Sequence, residues 1–438
     1  MSTPLAVMSE AEPHAESRRP AGLPRLLEAM PSNRAMSLAE HLAVHGPLQP
    51  THRRSRAGQH PLIGQIEQAG LRGRGGAGFP TAVKMRAVAS SRGRAVVVVN
   101  AAEGEPASAK DRTLTQTLPH LVLDGATLAA HALDANEIIV TVCESARASV
   151  QGIADAITER GAPGRGSPRT RLTTVPAHYV AGQESALVNH LGGGPAIPTF
   201  TPPMPFQQGV ARRPTLVNNA ETFAHIALIA RHGPDWFREL GTPSQPGSTL
   251  VTLSGPVAYP GVYEIEYGAS LAALIHAAGG STARVRAALL GGYGGSWVGE
   301  EHLRGLMLSD EHLASLGASL GAGVVLLLSE NACPIAETTR IARWLAGQST
   351  GQCGPCVHGL DALTTSLQEI ASGVTGSQAA QRIARLSTLV RGRGACGHPD
   401  GAVRLILSAI ETFGLEFADH ARNGACEGCL SPGELPLP

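Results

Sequence analysis

The sequence has no surplus of charge of either sign. Its 438 residues include 35 Lys and Arg against 35 Asp and Glu, so the formal net charge is zero. Proteins that bind nucleic acids carry basic patches or a positive balance, because phosphate contacts dominate their affinity. The composition therefore predicts no nucleic-acid partner.

Long apolar runs are also missing. A membrane-spanning helix needs roughly 20 consecutive apolar residues, and no stretch of this chain approaches that length. The beginning of the chain carries acidic residues and lacks the apolar core of a secretory signal. We expect a cytoplasmic protein without direct membrane insertion, so any link to a peripheral membrane complex would run through a partner.

Aromatic residues are scarce, whereas glycine is abundant. Aromatics make up 3% of the chain, glycine accounts for 52 residues, and the hydrophobic fraction is 43%. This composition is typical of a globular protein, and the length suffices for two to four domains. Glycine concentrated in loops lets a ligand approach the backbone closely.

The hydrophobic pattern changes twice along the chain. Residues 95–99, 137–142 and 172–175 read as buried strands that alternate with helices over 120–135 and 146–160. This alternation predicts an open α/β sheet that binds ligands at the carboxyl ends of its strands. Residues 247–328 read as a small β-rich module with one helix. Four helices follow, over 335–345, 359–371, 379–391 and 402–413, and cysteines lie between them. This arrangement is typical of a cofactor-holding helical bundle.

The strongest local signal is GLRGRGGAGFPTAVK, residues 70–84. Four glycines fall within six residues: Gly73, Gly75, Gly76 and Gly78. Such a loop can turn its N–H groups toward an anion, and Lys84 adds a charged donor. We interpret the segment as a cradle for the phosphate of a flavin or dinucleotide. The alternative is a plain glycine-rich loop.

Two further segments supply polar side chains near strand ends. NAAEGEPASAKDR (residues 100–112) places Asn100, Glu103 and Glu105 directly after a buried strand, where they can bond a ligand or remain solvated loop acids. RPTLVNNAET (residues 213–222) contains Asn218 and Asn219. With Glu221 three residues after Asn218, this pair can also cap the next helix.

Seven cysteines are present, and two close pairs stand out: Cys353 with Cys356, and Cys426 with Cys429. A long intracellular chain does not need disulfides to fold. Pairs at this spacing indicate metal or redox chemistry instead.

A fourth segment, YVAGQESAL, spans residues 179–187. In the order in which they follow along the chain, residues 70–84, 100–112, 179–187 and 213–222 resemble the NADH-binding flavoprotein subunit of respiratory complex I. The related subunit of NAD-linked hydrogenases and formate dehydrogenases is of the same type. The resemblance covers roughly residues 60–420, about four-fifths of the chain. It implies an FMN-binding α/β domain (46–246), a ubiquitin-like β-grasp module (247–328) and a helical iron–sulfur domain (329–425). A poorly ordered lead-in (1–45) and a CxxC tail (426–438) complete the expected organisation.

The resemblance also implies an activity. NADH passes a hydride to FMN, electrons continue to an iron–sulfur cluster, and the cluster reduces a ferredoxin-like or small two-iron partner subunit. The flavin performs the chemistry, so no catalytic acid or base is expected. The implied cofactor-binding residues are Gly73, Arg74, Gly75, Gly76, Gly78, Phe79, Lys84, Asn100, Glu103, Glu105, Tyr179, Gly182, Glu184, Asn218 and Asn219.

The cluster motif departs from the family pattern. The family holds a 4Fe-4S cluster with CxxCxxC and one cysteine about 40 residues later. Here Thr350 takes the first position, and Cys353, Cys356 and Cys396 fill the other three. A hydroxyl is a poor iron ligand beside thiolates. The expected cluster therefore has a missing or non-standard fourth ligand, the alternatives being a relic site or zinc. Candidates to complete it are His358, His398, Cys426 and Cys429.

The nucleotide pocket departs as well. Ala102 stands where family members have an acid, and Gln183 replaces a further acid. The family's aromatic residue is replaced at Met85 or Ala87. Thr201 replaces a lysine and Met204 a phenylalanine. Weaker binding of NADH and relaxed discrimination against NADPH follow from the resemblance. Two alternatives stay open: an FMN subunit that serves a ferredoxin-like partner without NADH, and a non-catalytic assembly subunit.

Overall fold

The computed structural model describes residues 22–48, 60–162, 164, 167–374 and 378–437. Within them the chain forms two compact units. The first comprises described residues up to 104, together with 109–250 and 262–268; the second comprises 105–108, 251–261 and the described residues from 269 onward.

A four-stranded parallel sheet organises the first unit. Its strands are β1 (Val96–Ala101), β2 (Glu137–Cys143), β3 (Arg169–Val175) and β4 (Thr215–Asn219), in the order β3-β2-β1-β4. Side chains of β1 alternate between two apolar clusters, with Val97 and Val99 in one and Val96 and Val98 in the other. Burial on both faces explains why the strand reads as one continuous β-branched run.

Helices cover this sheet. They are α1 (Leu38–His45), α2 (Pro61–Ala69), α3 (Thr81–Ala89), α4 (Lys110–Thr117), α5 (Pro119–Ala132), α6 (Arg147–Glu159), α7 (Glu184–Leu191), α8 (Ala220–His232) and α9 (Pro234–Arg238). Short 3₁₀ turns span Tyr179–Gly182 and Val210–Arg212. The predicted alternation of strands and helices is confirmed, and each predicted strand lies within a few residues of its place.

Residues 22–45 do not behave as the expected loosely ordered lead-in. Leu26 is fully buried, and the guanidinium of Arg25 donates to Trp236 O at 2.6 Å. Ser37 and Glu40 form a reciprocal capping box at the start of α1. The segment is therefore part of the first unit, because burial and capping compensate for its Pro- and Ser-rich composition. Residues 1–21 lie outside the described residues.

A mixed five-stranded sheet lies further along the chain. Its strands are β5 (Ser248–Ser254), β6 (Gly261–Glu266), β7 (Val285–Leu290), β8 (Ser296–Gly299) and β9 (Val324–Ser329), in the order β6-β5-β9-β7-β8. Strands β5 and β9 are parallel, whereas β7 runs antiparallel to both β8 and β9. Three helices accompany the sheet rather than the one expected: α10 (Leu271–Ala277), α11 (Glu300–Leu303) and α12 (Asp310–Ser315).

The remaining chain is helical. It contains α13 (Pro334–Gly347), a π-helical turn (Pro355–Leu360), α14 (Asp361–Ala371), α15 (Ala379–Val390), α16 (His398–Thr412), α17 (Gly414–Asn423) and a 3₁₀ turn (Glu427–Cys429). The predicted α/β class with a β-rich module and a C-terminal helical bundle is confirmed. None of the helices in the described ranges is both long and apolar enough to cross a bilayer.

Candidate functional site

The glycine loop lies between α2 and α3. Gly73 N donates to Phe79 O at 2.9 Å, which closes the loop. Gly76 and Gly78 have φ angles of 97° and 60°, in the region that side chains disfavour. Phe79 is 49% exposed. The loop therefore has the conformation that the glycines predict, with its aromatic residue at the surface.

The loop contacts the carboxyl edge of the parallel sheet. Asn100 on β1 pairs in register with Asn219 on β4. Asn219 Nδ2 donates to Arg74 O at 3.0 Å, and a Cβ added at Gly75 would lie 3.8 Å from Asn219 Cβ. Asn219 also caps α8 by accepting from Thr222 N at 3.1 Å. The cap thus pairs Asn219 with Thr222, and not Asn218 with Glu221.

The segment after β1 packs against the turn at 179–182. Asn100 Nδ2 donates to Gly182 O at 2.7 Å. A Cβ at Gly104 would lie 2.3 Å from Tyr179 O, and one at Gly182 would lie 2.3 Å from Ala102 O. Both contacts admit only glycine, so close backbone approach joins these two segments.

Lys84 and Glu184 form a partly buried ion pair. Lys84 Nζ lies 3.2 Å from both carboxylate oxygens of Glu184 and donates to Val217 O at 2.9 Å. Glu184 is the first residue of α7, and the side chain of Gln183 caps that helix by accepting from Ser185 N at 2.9 Å. All four sequence segments therefore meet at one edge of the sheet.

Asn218 carries a buried amide that fits a cofactor. The residue is 7% exposed, and its Nδ2 has no hydrogen-bond partner among the described residues. Thr81 Oγ1, at the start of α3, is also buried and has no hydrogen-bond partner among the described residues. Leaving such a donor unsatisfied costs about 1–3 kcal/mol. Flavin rings and phosphates offer acceptors, so these groups are compatible with bound FMN.

Sequence reasoning missed a cluster of buried charges behind the loop. Lys110 Nζ lies 3.1 Å from Asp111 Oδ1 and 3.0 Å from Glu221 Oε2. Burial alone would raise the pKa of Glu221, but Lys110, His225 and Arg74 outweigh it and lower the pKa to about 2. Burial raises the pKa of Asp111 to about 6 despite Lys110. The sequence did contain these charged residues in its two polar segments: Lys110 and Asp111 lie in residues 100–112, and Glu221 lies in residues 213–222.

The side chain of Arg74 does not point to solvent, as a side chain that binds a cofactor at the loop surface would. Its side chain is buried and donates to Tyr267 Oη at 2.8 Å and Ser248 O at 3.1 Å. Its backbone N donates to Thr222 Oγ1 at 2.9 Å. Arg74 therefore anchors the loop from the protein side.

The two acids after β1 separate. Glu103 accepts from Asp111 N at 3.2 Å and Arg112 N at 3.1 Å, so it caps α4. Glu105 belongs to the second unit and accepts from Tyr293 N at 3.0 Å. Glu103 therefore caps α4, and Glu105 forms its hydrogen bond to Tyr293 within the second unit.

Cys356 lies in the π-helical turn, and Cys353 and Cys396 are near enough to influence its thiol. Burial raises the pKa of Cys356 to about 12, and the nearby thiols of Cys353 and Cys396 contribute in the same direction. Thr350 Oγ1 donates to Gln352 Oε1 at 3.0 Å. Three thiols suit three corners of an iron–sulfur cluster, while the first position offers a hydroxyl.

Comparison with known proteins gives the family. Residues 66–228 match the Nuo51 FMN-binding domain, 250–295 an SLBB domain, and 336–420 the NADH-ubiquinone oxidoreductase-F iron–sulfur binding region. The F subunit of NADH-quinone oxidoreductase in Streptomyces coelicolor is 32% identical over 377 residues, covering 83% of this chain and 84% of that protein. The chain belongs to the family of these F subunits. The predicted resemblance is confirmed.

Two further comparisons support this family assignment. A second F subunit of NADH-quinone oxidoreductase, in Rhizobium meliloti, is 33% identical over 379 residues, covering 83% of this chain and 90% of that protein. A crystal structure of an NAD⁺-reducing [NiFe]-hydrogenase in the H₂-reduced state matches with a TM-score of 0.78 and 31% identity. That match covers 86% of this chain and 67% of the hydrogenase chain.

The departures from the family pattern have clear positions. Met85, which follows Lys84, is fully buried in the core of the first unit. Phe200 is 87% exposed and Met204 is 39% exposed. Met85 therefore does not substitute for a surface aromatic, whereas Phe200 lies at the surface.

The candidates for a fourth cluster ligand have different surroundings. His358 is exposed, and His398 Nε2 lies 2.9 Å from Leu345 O. Cys426 and Cys429 contact Cys333 and His420, and they lie beyond the matched iron–sulfur region at 336–420. The tail cysteines are thus engaged in a second cluster of metal-ligating side chains.

Proposed function

We propose that this chain oxidises NAD(P)H with FMN and passes the electrons through an iron–sulfur cluster to a partner subunit. The observation that carries the proposal is the meeting of four sequence segments at the carboxyl edge of the parallel sheet. Family membership supports it, since the relatives are named as NADH-quinone oxidoreductase subunits. Open α/β sheets bind ligands at this edge.

The glycine loop and its neighbours hold FMN in this proposal. Backbone N–H groups of Gly75, Gly76 and Gly78 bind the phosphate, whereas the N–H of Gly73 is used to close the loop on Phe79 O. The Asn218 amide donates to a cofactor acceptor. When bound, FMN supplies the exchange between two-electron and one-electron chemistry. Asn100 and Asn219 orient the surrounding segments through Gly182 and Arg74.

Lys84 and Glu184 act as a charged pair at the cofactor site. Glu184 and Val217 O hold the ammonium of Lys84 at the sheet edge. A positive charge there stabilises a phosphate or a reduced flavin. Exposed Phe79 contacts the nicotinamide nucleotide, while the roles of Tyr179 and Glu105 stay predictions from the sequence.

The cluster is held by Cys353, Cys356 and Cys396. Their convergence supports the assignment, and the hydroxyl of Thr350 leaves the first position without a thiolate. The electron acceptor is a ferredoxin-like or small two-iron subunit. The cytoplasmic location and the bounds of the five segments remain predictions from the sequence.

Anaerobic purification and rapid mixing test the activity. We expect FMN and iron in the purified chain, and bleaching of the flavin absorbance when NADH or NADPH is added. A protein that binds FMN but is not bleached by either nucleotide would favour the FMN subunit without NADH. A protein lacking FMN would contradict the proposal.

The Lys84→Met variant tests the charged pair. Charge-assisted hydrogen bonds contribute about 1.5–3 kcal/mol, so we expect FMN affinity to fall about 10- to 100-fold with an unchanged circular dichroism spectrum. Arg92→Met, at an exposed position after α3, is the control. Equal FMN affinity in both variants would remove Lys84 from the site.

Thr350→Cys tests the cluster. Restoring a fourth thiolate should raise the iron and sulfide retained after exposure to air, because a complete thiolate shell leaves no iron open. Thr388→Cys, at an exposed position on α15, is the matched control. Unchanged iron in Thr350→Cys would mean that residue 350 does not face the cluster.

A further inference from the structure

Four metal-ligating side chains converge outside the predicted cluster. Cys333, His420, Cys426 and Cys429 each bring one ligand atom to within 4.8 Å of the other three. The Sγ atoms of Cys429 and Cys333 are 3.4 Å apart, and those of Cys426 and Cys429 are 3.8 Å apart. Cys333 Sγ lies 4.0 Å from Nε2 of His420, and Cys429 Sγ lies 4.0 Å from Nδ1 of the same ring.

These separations match a tetrahedral metal shell. With Zn–S bonds of about 2.3 Å, tetrahedral geometry sets neighbouring sulfurs about 3.8 Å apart. The sulfur–sulfur distances here are also far longer than the roughly 2.0 Å bond of a disulfide. The four groups therefore suit one small tetrahedral ion.

Different elements deliver the four ligands. Cys333 caps the start of α13 and accepts from Ala336 N at 3.4 Å, and His420 lies on α17 and is 2% exposed. Cys426 and Cys429 flank a tight turn that is closed by a hydrogen bond from Cys429 N to Cys426 O at 3.1 Å, and Ala336 N is the donor to the Cys333 sulfur. N–H donors to sulfur are the outer-shell support that thiolate ligands need.

The turn also packs directly against the first ligand. A Cβ added at Gly428 would lie 3.1 Å from Cys333 N and 3.2 Å from Asn331 O. Glycine is thus the residue that lets the CxxC turn approach α13. This approach holds the two tail thiols beside Cys333 and His420.

We propose that Cys333, His420, Cys426 and Cys429 bind one structural Zn²⁺ ion in this chain. Three thiolates and one imidazole fill all four positions of a tetrahedral zinc shell, which is typical of closed structural sites. Soft sulfur ligands in this geometry disfavour Mg²⁺ and Ca²⁺. The site is separate from the Cys353, Cys356 and Cys396 cluster and does not depend on the proposed activity.

The ion would fasten the end of the chain. Beyond Cys429, Glu434 Oε1 accepts from Ser329 N at 2.9 Å, and Glu434 N donates to Glu337 Oε1 at 2.7 Å. Leu435 is 2% exposed. Zinc would therefore join α13, α17 and the tail that packs on α13.

Metal analysis of the purified full-length chain tests the site. We expect one zinc per wild-type chain, lost in Cys426→Ser/Cys429→Ser while iron and FMN are retained. Cys353→Ser should show the reverse, with iron lost and zinc kept. Cys143→Ser, whose thiol contacts Ser145, should keep both metals.

Two measurements on the wild-type chain keep the test independent of variant folding. Growth with Co²⁺ should give the visible d–d bands of a tetrahedral thiolate site. Removing zinc with a chelator should increase hydrogen exchange in residues 424–437. A wild-type chain without zinc, a disulfide between Cys426 and Cys429, or loss of iron rather than zinc in the double variant would overturn the proposal.

Discussion

Glu221 lies at the centre of the buried charges behind the glycine loop. It is fully buried, pairs with Lys110, and accepts from Thr249 Oγ1 at 2.8 Å and Leu250 N at 3.0 Å. One carboxylate thus compensates a buried ammonium and secures the first residues of β5. Its removal would leave Lys110 with fewer negative partners.

Replacing Glu221 with Gln should destabilise the protein by about 3–5 kcal/mol, because the amide keeps the shape but leaves buried positive charge uncompensated. Urea unfolding followed by circular dichroism measures the change. Glu411→Gln, at an exposed position on α16, should change the free energy of unfolding by less than about 0.5 kcal/mol. A loss below about 1 kcal/mol in Glu221→Gln would show that solvent or another acid compensates Lys110.

His45, at the end of α1, gives a pH-dependent prediction. Burial is the largest cause that lowers the pKa of His45, His41 and Arg231 act in the same direction, and Asp124 opposes them; together they lower the pKa to about 3. The unfolded residue titrates near pH 6.5. The neutral His45 ring therefore contributes its full stabilisation of the fold above pH 6.5, and this stabilisation is lost as the pH falls from 6.5 toward about 3.

The His45→Gln variant removes this titration. Between pH 7.5 and 5.5, the wild type should lose about 1 kcal/mol of stability relative to the variant. Urea unfolding of both proteins at the two pH values provides the comparison. A constant gap between His45→Gln and wild type would mean that folding does not change the proton affinity of His45. A wild type that gains stability relative to the variant as the pH falls would mean that His45 is protonated in the fold.

At the scale of elements, close backbone approach connects the segment after β1 with the 3₁₀ turn before α7. In Gly104→Ala the new Cβ would meet Tyr179 O, so the two segments must separate. We expect reduced FMN content with retained helix content, measured by flavin fluorescence and circular dichroism.

Gly64→Ala is the matched control for this variant. Gly64 lies inside α2, and no heavy atom lies within 4 Å of a Cβ added there. Alanine is the better helix former by up to about 1 kcal/mol, so this variant should be as stable as wild type or more so. Normal FMN content in Gly104→Ala would show that the two segments do not shape the site.

Some elements could be read from the sequence and others could not. Strand β1 is a continuous β-branched run, and α14 and α15 carry strong helical periodicity. The structure has all three within a few residues of the predicted place. Helix α17 was missed because Gly414 begins it, and the π-helical turn before α14 has no periodicity of its own. Residues 22–45 were misjudged because burial outweighed their local composition.

At the scale of the whole molecule, charge balance decides colloidal behaviour. The net charge is zero and the sequence pI is near 7.3. Proteins near zero net charge repel one another least. Solubility should therefore be lowest near pH 7.3 and rise on either side, as measured by ammonium sulfate precipitation across pH. A minimum displaced by more than about one pH unit would indicate bound charged groups.

The sequence alone indicated the strands of the parallel sheet and the glycine loop, because runs of β-branched residues and closely spaced glycines are local patterns. The three cluster cysteines stay a prediction from the sequence. Tertiary structure decided the rest. It buried the side chain of Arg74 against Tyr267 and Ser248, and it brought the Asn219 amide to Arg74 O. It also brought Cys333 and His420 to the tail cysteines across 96 and 9 residues of chain from Cys429. Such contacts arise from packing between distant elements, which spacing along the chain does not encode.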